Sequence, residues 1–298
     1  MRALAAMVVG VLLAGTAAWA QDNPQPQNVS STQPVGPAVS PDYAAVYCSG
    51  FFTSERPNGE MRLISGEQSN VKIVFSTRDF VYINQGSNQG VRVGDRYSVF
   101  RPDTDPTDVQ WFKWQDKLAK AMGTFYRDTG QLKVVNVQPN VSTAVVNFAC
   151  DYLQRGDYVR PFQERPSPPY KPAEAFDHFA PVSGKSVGMV VVGKEFAQAY
   201  GKLSTIYVNL GTNQGVRTGD YIRIFRYQGS QAETAQYYEN YQYEMYGFGA
   251  TPVRYKWNDL PREILGEGIV LNVGPNSSTV LITVSRIEIY AGDYTEIE

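Results

Sequence analysis

Few residues of this 298-residue sequence combine reactive chemistry with a useful spacing. There are two cysteines, Cys48 and Cys150, and one histidine, His178, which lies in a proline-rich stretch. A nucleophilic Ser or Cys needs a base such as histidine beside it, and a structural zinc site needs four ligands. We therefore expect no metal centre and no cofactor. In an exported chain, two cysteines indicate a disulfide bond between Cys48 and Cys150.

Carboxylates offer a second possible chemistry, because a pair of them cleaves glycosidic bonds in many hydrolases. Four Gly-Asp dipeptides recur along the chain: Gly94-Asp95, Gly156-Asp157, Gly219-Asp220 and Gly292-Asp293. Glycine permits positive φ, and a short carboxylate accepts hydrogen bonds from nearby backbone N–H groups. We interpret these dipeptides as structural turns and expect no catalytic residue and no enzymatic activity.

Aromatic side chains are concentrated in two loops. The first loop, residues 102–123, carries Trp111, Phe112 and Trp114. The second is longer and rich in tyrosine; its candidate binding residues are Tyr237, Tyr238, Tyr241, Tyr243, Tyr246 and Trp257. Large rigid rings suit glycan stacking or a protein contact, so both loops are candidate binding surfaces. The alternative is that these rings fold back as a lid over the end of the domain.

The elements that position these loops belong to an internal repeat. Residues 81–101 match residues 206–226 at an offset of 125, with 12 of 21 positions identical. Residues 131–159 match residues 267–295 at an offset of 136, with 10 of 29 identical. Two copies of one folded module therefore fill the chain. We place module 1 at residues 43–162, a Pro-rich linker at 163–184 and module 2 at 185–298.

Each module has the sequence pattern of short β-strands. Apolar and polar residues alternate over short runs, and Gly, Asn, Asp and Pro separate the runs every eight to twelve residues. Helical periodicity is confined to short segments such as residues 111–122. The pattern predicts an all-β protein of two tandem small barrels with Gly-Asp corner turns, because closure removes exposed sheet edges. A disulfide within module 1 is expected to affect the stability of that module alone.

The repeated phrase resembles the C-terminal domain of the flagellar assembly protein T family and related β-barrel modules of bacterial envelope proteins. The residues that carry the resemblance are Asn84, Gly86, Gly90, Val91, Gly94, Asp95, Arg101, Val134, Val137 and Ser142, with their counterparts in module 2. The resemblance implies a small β-barrel and a role in the cell envelope.

The first residues indicate export. Arg2 is followed by an apolar run at residues 4–13 and by Ala18-Trp19-Ala20, which is typical of a signal peptide cleaved after residue 20. Residues 21–42 are rich in Pro, Gln and Ser and predict a disordered leader. The net charge of −2 argues against nucleic acid, whose binding needs clustered Lys and Arg. We expect a periplasmic or secreted bacterial protein that does not span the membrane.

These observations favour a non-enzymatic binding or assembly component of the cell envelope, whose partner is an envelope protein or a cell-wall glycan. A peptidoglycan-binding protein that uses its aromatic loops is the first alternative. An enzyme accessory subunit or a hydrolase based on carboxylates is the second.

Overall fold

The computed structural model describes residues 40–105, 109–172, 176–227 and 261–298. Strands hold 43% of the residues and helices 9%, which confirms the all-β fold class. Both repeats belong to one compact unit, Pro37–Glu298. Within the described ranges, no helix is long and apolar enough to cross a membrane.

Module 1 is a curled sheet of seven strands with a small ribbon beside it. The strands are β1 (Phe51–Thr53), β2 (Leu63–Gly66), β3 (Val74–Phe75), β4 (Phe80–Ile83), β5 (Arg96–Pro102), β6 (Thr124–Val137), β7 (Ser142–Ala149), β8 (Leu153–Gln154) and β9 (Tyr158–Pro161). The sheet order is β2-β4-β7-β6-β5-β9, with β1 paired to β6, and β3 pairs with β8. An isolated bridge between Arg62 and Tyr158 joins the two ends of the sheet.

Module 2 closes completely. Its strands are β10 (Val187–Gly193), β11 (Ala199–Tyr200), β12 (Thr205–Val208), β13 (Tyr221–Arg226), β14 (Glu263–Val273), β15 (Ser278–Ser285), β16 (Ile289–Tyr290) and β17 (Tyr294–Ile297). Six of them form a closed barrel in the order β10-β12-β15-β14-β13-β17, and β11 pairs with β16. The last strand, β17, returns to the first, β10, so the barrel has no free edge.

The alternation of side chains along each strand separates a core face from an outer face. In β5, Tyr97 and Val99 enter the core of module 1, whereas Ser98 and Phe100 face outward. In β13, Ile222 and Ile224 enter the core of module 2. The outward positions of β5 and β9 are the ones that build the cleft described below.

Two short α-helices lie among the described residues, and both belong to module 1. Helix α1 (Tyr43–Tyr47) begins after Asp42, whose Oδ1 accepts a hydrogen bond from the Ala45 N–H at 2.6 Å. Helix α2 (Gln115–Met122) ends at Gly123 and lies inside the periodic segment 111–122. Asp42 is the last residue of the predicted leader, and helix α1 begins at Tyr43, the first residue assigned to module 1.

The predicted disulfide bond is present, and Cα atoms of Cys48 and Cys150 lie 5.4 Å apart. The bond does not lie at the seam where the sheet of module 1 closes. Cys48 caps the end of helix α1, and Cys150 follows β7. The bond therefore attaches the α1–β1 segment to the sheet, while the seam between β2 and β9 is closed by backbone bonds such as Leu63 N–H to the Asp157 carbonyl.

Candidate functional site

The aromatic loop of module 1 joins the two modules. Phe112 is fully buried within the core of module 2, and Trp111 packs partly buried against the same core. Gln115 holds the loop in place: its Oε1 accepts from the Trp111 N–H at 2.7 Å, and its Nε2 donates to the Val191 carbonyl at 2.9 Å. The loop is thus a lid, but over the barrel of the other module.

A second contact joins the modules through the segment that follows helix α1. Tyr207 of module 2 donates its hydroxyl to the Ser49 carbonyl at 2.6 Å, and Thr279 donates to the Gly50 carbonyl at 3.1 Å. The rings of Phe52, Phe125 and Tyr207 pack together with centroids 4.9–5.3 Å apart. A buried aromatic cluster across the interface favours one fixed arrangement of the modules.

The linker lies along both modules and makes specific contacts with each. Arg165 donates to both carboxylate oxygens of Asp128 in module 1, at 2.8 and 2.9 Å. Lys171 pairs with Glu267 and Glu298 of module 2, at 2.5 and 2.7 Å. Because the described linker residues are anchored at both ends, the linker holds the modules as one body.

Between the modules lies a cleft of about 880 Å³. Module 1 supplies one wall from β1, β5, β9 and the stretch that leads into β2, and module 2 supplies the other from Thr218 and the β14–β15 turn, Leu271 to Pro275. Its floor is apolar and includes Phe51 and Phe100, while exposed polar residues form the rim. This volume lies within the range of small-molecule and cofactor sites.

Arg160 is a charged side chain that lines this cleft and packs on its aromatic rings. Its guanidinium lies over the rings of Phe51 and Phe100, with Cζ 4.6 and 4.7 Å from their centroids. Among the described residues, no carboxylate lies within ion-pair distance of Arg160, and its side chain has no hydrogen-bond partner. A half-buried guanidinium over aromatic rings, with no carboxylate in contact, retains the capacity to bind an external anion.

Burial changes the acid–base properties of the groups around the cleft. Loss of hydration lowers the pKa of the Arg160 guanidinium, Asp128 acts in the opposite sense, and the Arg165 cation lowers it further. Arg165 itself has a raised pKa, because its pairing with Asp128 outweighs the effect of burial. Arg165 therefore occupies both oxygens of the Asp128 carboxylate, and Arg160 feels that carboxylate only from beyond ion-pair distance.

The four Gly-Asp dipeptides form turns, each within its own module. Asp95 accepts a hydrogen bond from the Arg92 N–H at 2.9 Å, and Asp220 accepts one from the Arg217 N–H at 2.8 Å. Asp157 and Asp293 accept from the N–H groups of Gln154 and Tyr290 in the same way; the glycines before them, Gly94, Gly156, Gly219 and Gly292, all have φ between 91° and 101°. Among the described residues, no hydrogen bond joins one of these aspartates to another.

The other predicted binding residues divide into two groups. Trp114 is 55% exposed, with the Lys113 and Lys117 ammonium groups over its ring, whereas Phe112 has no surface left for a ligand. The remaining candidates, Tyr237, Tyr238, Tyr241, Tyr243, Tyr246 and Trp257, lie outside the described residues. In the part of the chain that the structure describes, no group of three His, Cys, Asp or Glu is arranged to hold a metal.

Sequence reasoning missed Arg160, Phe51 and Phe100, which lie together in the cleft. A signal for Arg160 exists just beyond the second repeat, where Val159 and Thr295 correspond and the next residues are Arg160 and Glu296. At this position module 1 has a positive side chain, which lines the cleft, and module 2 has a negative one.

No protein-family model matches the chain, and no curated protein is significantly similar to it in sequence.

Proposed function

We propose that this protein is an exported, non-enzymatic binding or assembly component of a bacterial cell envelope, and that the cleft between its modules holds its ligand. The observation that carries the proposal is the cleft itself, since both modules supply its walls and a shared aromatic core fixes their arrangement. Binding sites frequently lie between domains.

Three further features support this proposal. The resemblance to flagellar assembly protein T and related envelope barrels implies an envelope role. The disulfide between Cys48 and Cys150 is compatible with an oxidising compartment such as the periplasm. The Gly-Asp aspartates are engaged in turns, which favours binding over hydrolysis by a carboxylate pair.

The test is a pull-down with the purified protein against envelope proteins extracted from the bacterium that makes it. Thr218→Trp places a large ring at an exposed position of the cleft wall. Val93→Trp is its matched control, because Val93 is the exposed repeat counterpart of Thr218 and does not line the cleft. We expect the wild type and Val93→Trp to retain the same partner and Thr218→Trp to lose it; equal retention by all three proteins would contradict the proposal.

A peptidoglycan-binding protein is the second candidate, favoured by the exposed indole of Trp114. Its test is co-sedimentation with purified peptidoglycan. Binding that is lost in Trp114→Ala or in the triple variant Tyr237→Ala, Tyr238→Ala, Tyr241→Ala, and kept in Thr218→Trp, would support this candidate over the cleft.

A further inference from the structure

Arg160 and Glu296 occupy the same position in the two modules. In module 1, β9 pairs with β5 so that Arg160 lies opposite Ser98. In module 2, β17 pairs with β13 so that Glu296 lies opposite Arg223. The offsets between these pairs, 136 and 125, are those of the two sequence repeats, so the register is the same in both modules.

In module 2 this position is electrostatically complete. The Glu296 carboxylate is fully buried and accepts hydrogen bonds from Arg223 and Arg262, both at 2.7 Å. The Arg262 guanidinium also lies over the ring of Phe225, with Cζ 4.6 Å from the centroid. One acid, its arginine partners and an aromatic ring thus form a closed group on the outer face of the barrel.

In module 1 the ring is present, but an arginine stands at the position of the acid. Arg160 lies over Phe100, the repeat counterpart of Phe225, at 4.7 Å. The residue opposite it is Ser98, which is uncharged. The nearby Asp128 carboxylate is paired with Arg165, and no carboxylate of a described residue lies within ion-pair distance of Arg160. Module 1 therefore has a cation over the ring at this position, without the ion pairs that module 2 makes there.

The two modules also differ in what covers this outer face. In module 2, the stretch that leads into the barrel crosses it: the Pro181 carbonyl accepts from Arg223 and Arg262, and the Ser183 N–H donates to Glu296 at 3.3 Å. In module 1, the corresponding stretch before β2 lines the cleft and makes no described hydrogen bond to Arg160. The polypeptide chain thus covers the Glu296 position, whereas the Arg160 position lines the open cleft.

We propose that the cleft binds an acidic peptide segment of a partner protein and that Arg160 receives its carboxylate. The inference rests on the proposed function and specifies the ligand chemistry of the same cleft. The guanidinium fork matches a carboxylate in two parallel hydrogen bonds, and the Phe51 and Phe100 rings hold the fork in place. The carboxylates of Glu55, Glu60 and Glu164 also line the cleft and repel a multiply charged anion such as a phosphate more strongly than a single carboxylate.

The test uses two immobilised random octapeptide libraries, one with free C-terminal carboxylates and one with C-terminal amides, and the full-length protein. We expect enrichment of Asp- or Glu-containing peptides in both libraries if a side chain binds, or enrichment in the free-acid library alone if a C-terminus binds. The best synthetic peptide is then titrated beside its neutral counterpart, in which the carboxylate is an amide. The neutral peptide should bind about tenfold to a hundredfold more weakly.

Three variants assign this loss to Arg160. Arg160→Met keeps an apolar side chain over the rings and removes the charge, so it should bind the acidic and neutral peptides equally weakly. Ser98→Glu supplies the missing acid from the opposite strand, so it should block binding without lowering the midpoint of urea unfolding. Arg78→Met removes an exposed arginine outside the cleft and should bind as the wild type does.

Enrichment of peptides without acidic groups, or an undiminished affinity in Arg160→Met, would overturn the inference. Its failure is distinguishable from that of the proposed function. If Thr218→Trp abolishes partner binding while Arg160→Met and Ser98→Glu preserve it, the cleft is the site and Arg160 is not its anion receptor. If no peptide is enriched but peptidoglycan fragments bind in an Arg160-dependent manner, the ligand is a glycan and the peptide assignment is wrong.

Discussion

The ring of Phe112 lies against the backbone of Gly292, so closely that a Cβ atom at position 292 would stand 3.0 Å from its Cγ. Phe112 belongs to the aromatic loop of module 1, and Gly292 belongs to a Gly-Asp turn of module 2. A turn glycine of one repeat thus also makes room for an aromatic ring from the other. A residue from module 1 therefore completes the core of module 2.

Phe112→Ala is expected to destabilise the whole protein by about 3–5 kcal/mol, because it removes a fully buried ring and leaves a cavity in the core of module 2. The measurement is the free energy of unfolding from a urea titration. Trp114→Ala, two residues away and 55% exposed, is the control and should change stability by less than about 1 kcal/mol. A similar small loss in both variants would show that the loop does not join the modules.

The local parts of this fold were predictable from the sequence. Alternating apolar residues and Gly-Asp turns determine structure over a few residues, so they predicted the all-β class. The repeat was visible as sequence identity at two fixed offsets. The disulfide was predicted from the two cysteines together with the expectation that the chain is exported. Each of these features depends on neighbouring residues or on a simple count, and not on how the two modules meet.

The packing between the modules was not predictable in the same way. An aromatic loop has the same sequence pattern whether it binds a ligand or enters the core of a neighbouring module, so Phe112 gave no sign of its place. Arg160 has the pattern of an ordinary outward-facing strand residue. Its surroundings depend on the ring of Phe51, more than 100 positions away in the chain, and on the uncharged residue Ser98 on the opposite strand.

The structure changes the expected effect of breaking the disulfide. Cys48 is followed directly by Ser49 and Gly50, whose carbonyls accept hydrogen bonds from Tyr207 and Thr279 of module 2. Releasing this segment should therefore weaken both modules, by about 2–5 kcal/mol in total. The measurement is differential scanning calorimetry of the oxidised and reduced protein and of the double variant Cys48→Ser, Cys150→Ser. A separate module 2 transition at an unchanged temperature would contradict this.

Gly50→Ala tests the same segment by adding one methyl group. Gly50 has φ +68°, and a Cβ atom there would lie 2.7 Å from the Tyr207 hydroxyl and 2.8 Å from the Phe125 ring. We expect a loss of about 1–2 kcal/mol from the left-handed backbone and a further loss from the collision. The matched control is Gly184→Ala, since Gly184 has φ +72° with open space around it and should show the backbone loss alone. Equal losses in urea unfolding would argue against close packing at Gly50.

The buried Glu296 makes the stability of the protein depend on pH in a defined sense. Burial alone would raise the pKa of its carboxyl, but hydrogen bonds from Arg262 and Arg223 outweigh burial and hold the pKa below the ordinary value of 4.5. A carboxyl with a lowered pKa contributes stability above its unfolded pKa and loses that contribution as the pH falls through its folded pKa. Glu296→Gln should therefore cost about 3–5 kcal/mol near neutral pH, because two arginines lose their acid.

The difference in unfolding free energy between the wild type and Glu296→Gln should shrink as the pH is lowered below 4.5. Asp157 and Asp293 have raised pKa values because they are buried, so their contributions change with pH in the opposite sense. Both proteins contain these aspartates, and the difference curve therefore isolates Glu296. Glu288→Gln, which alters an exposed carboxylate, is the control for the substitution itself. A pH-independent difference for Glu296→Gln would mean that the buried carboxylate does not stabilise module 2 in its ionised form.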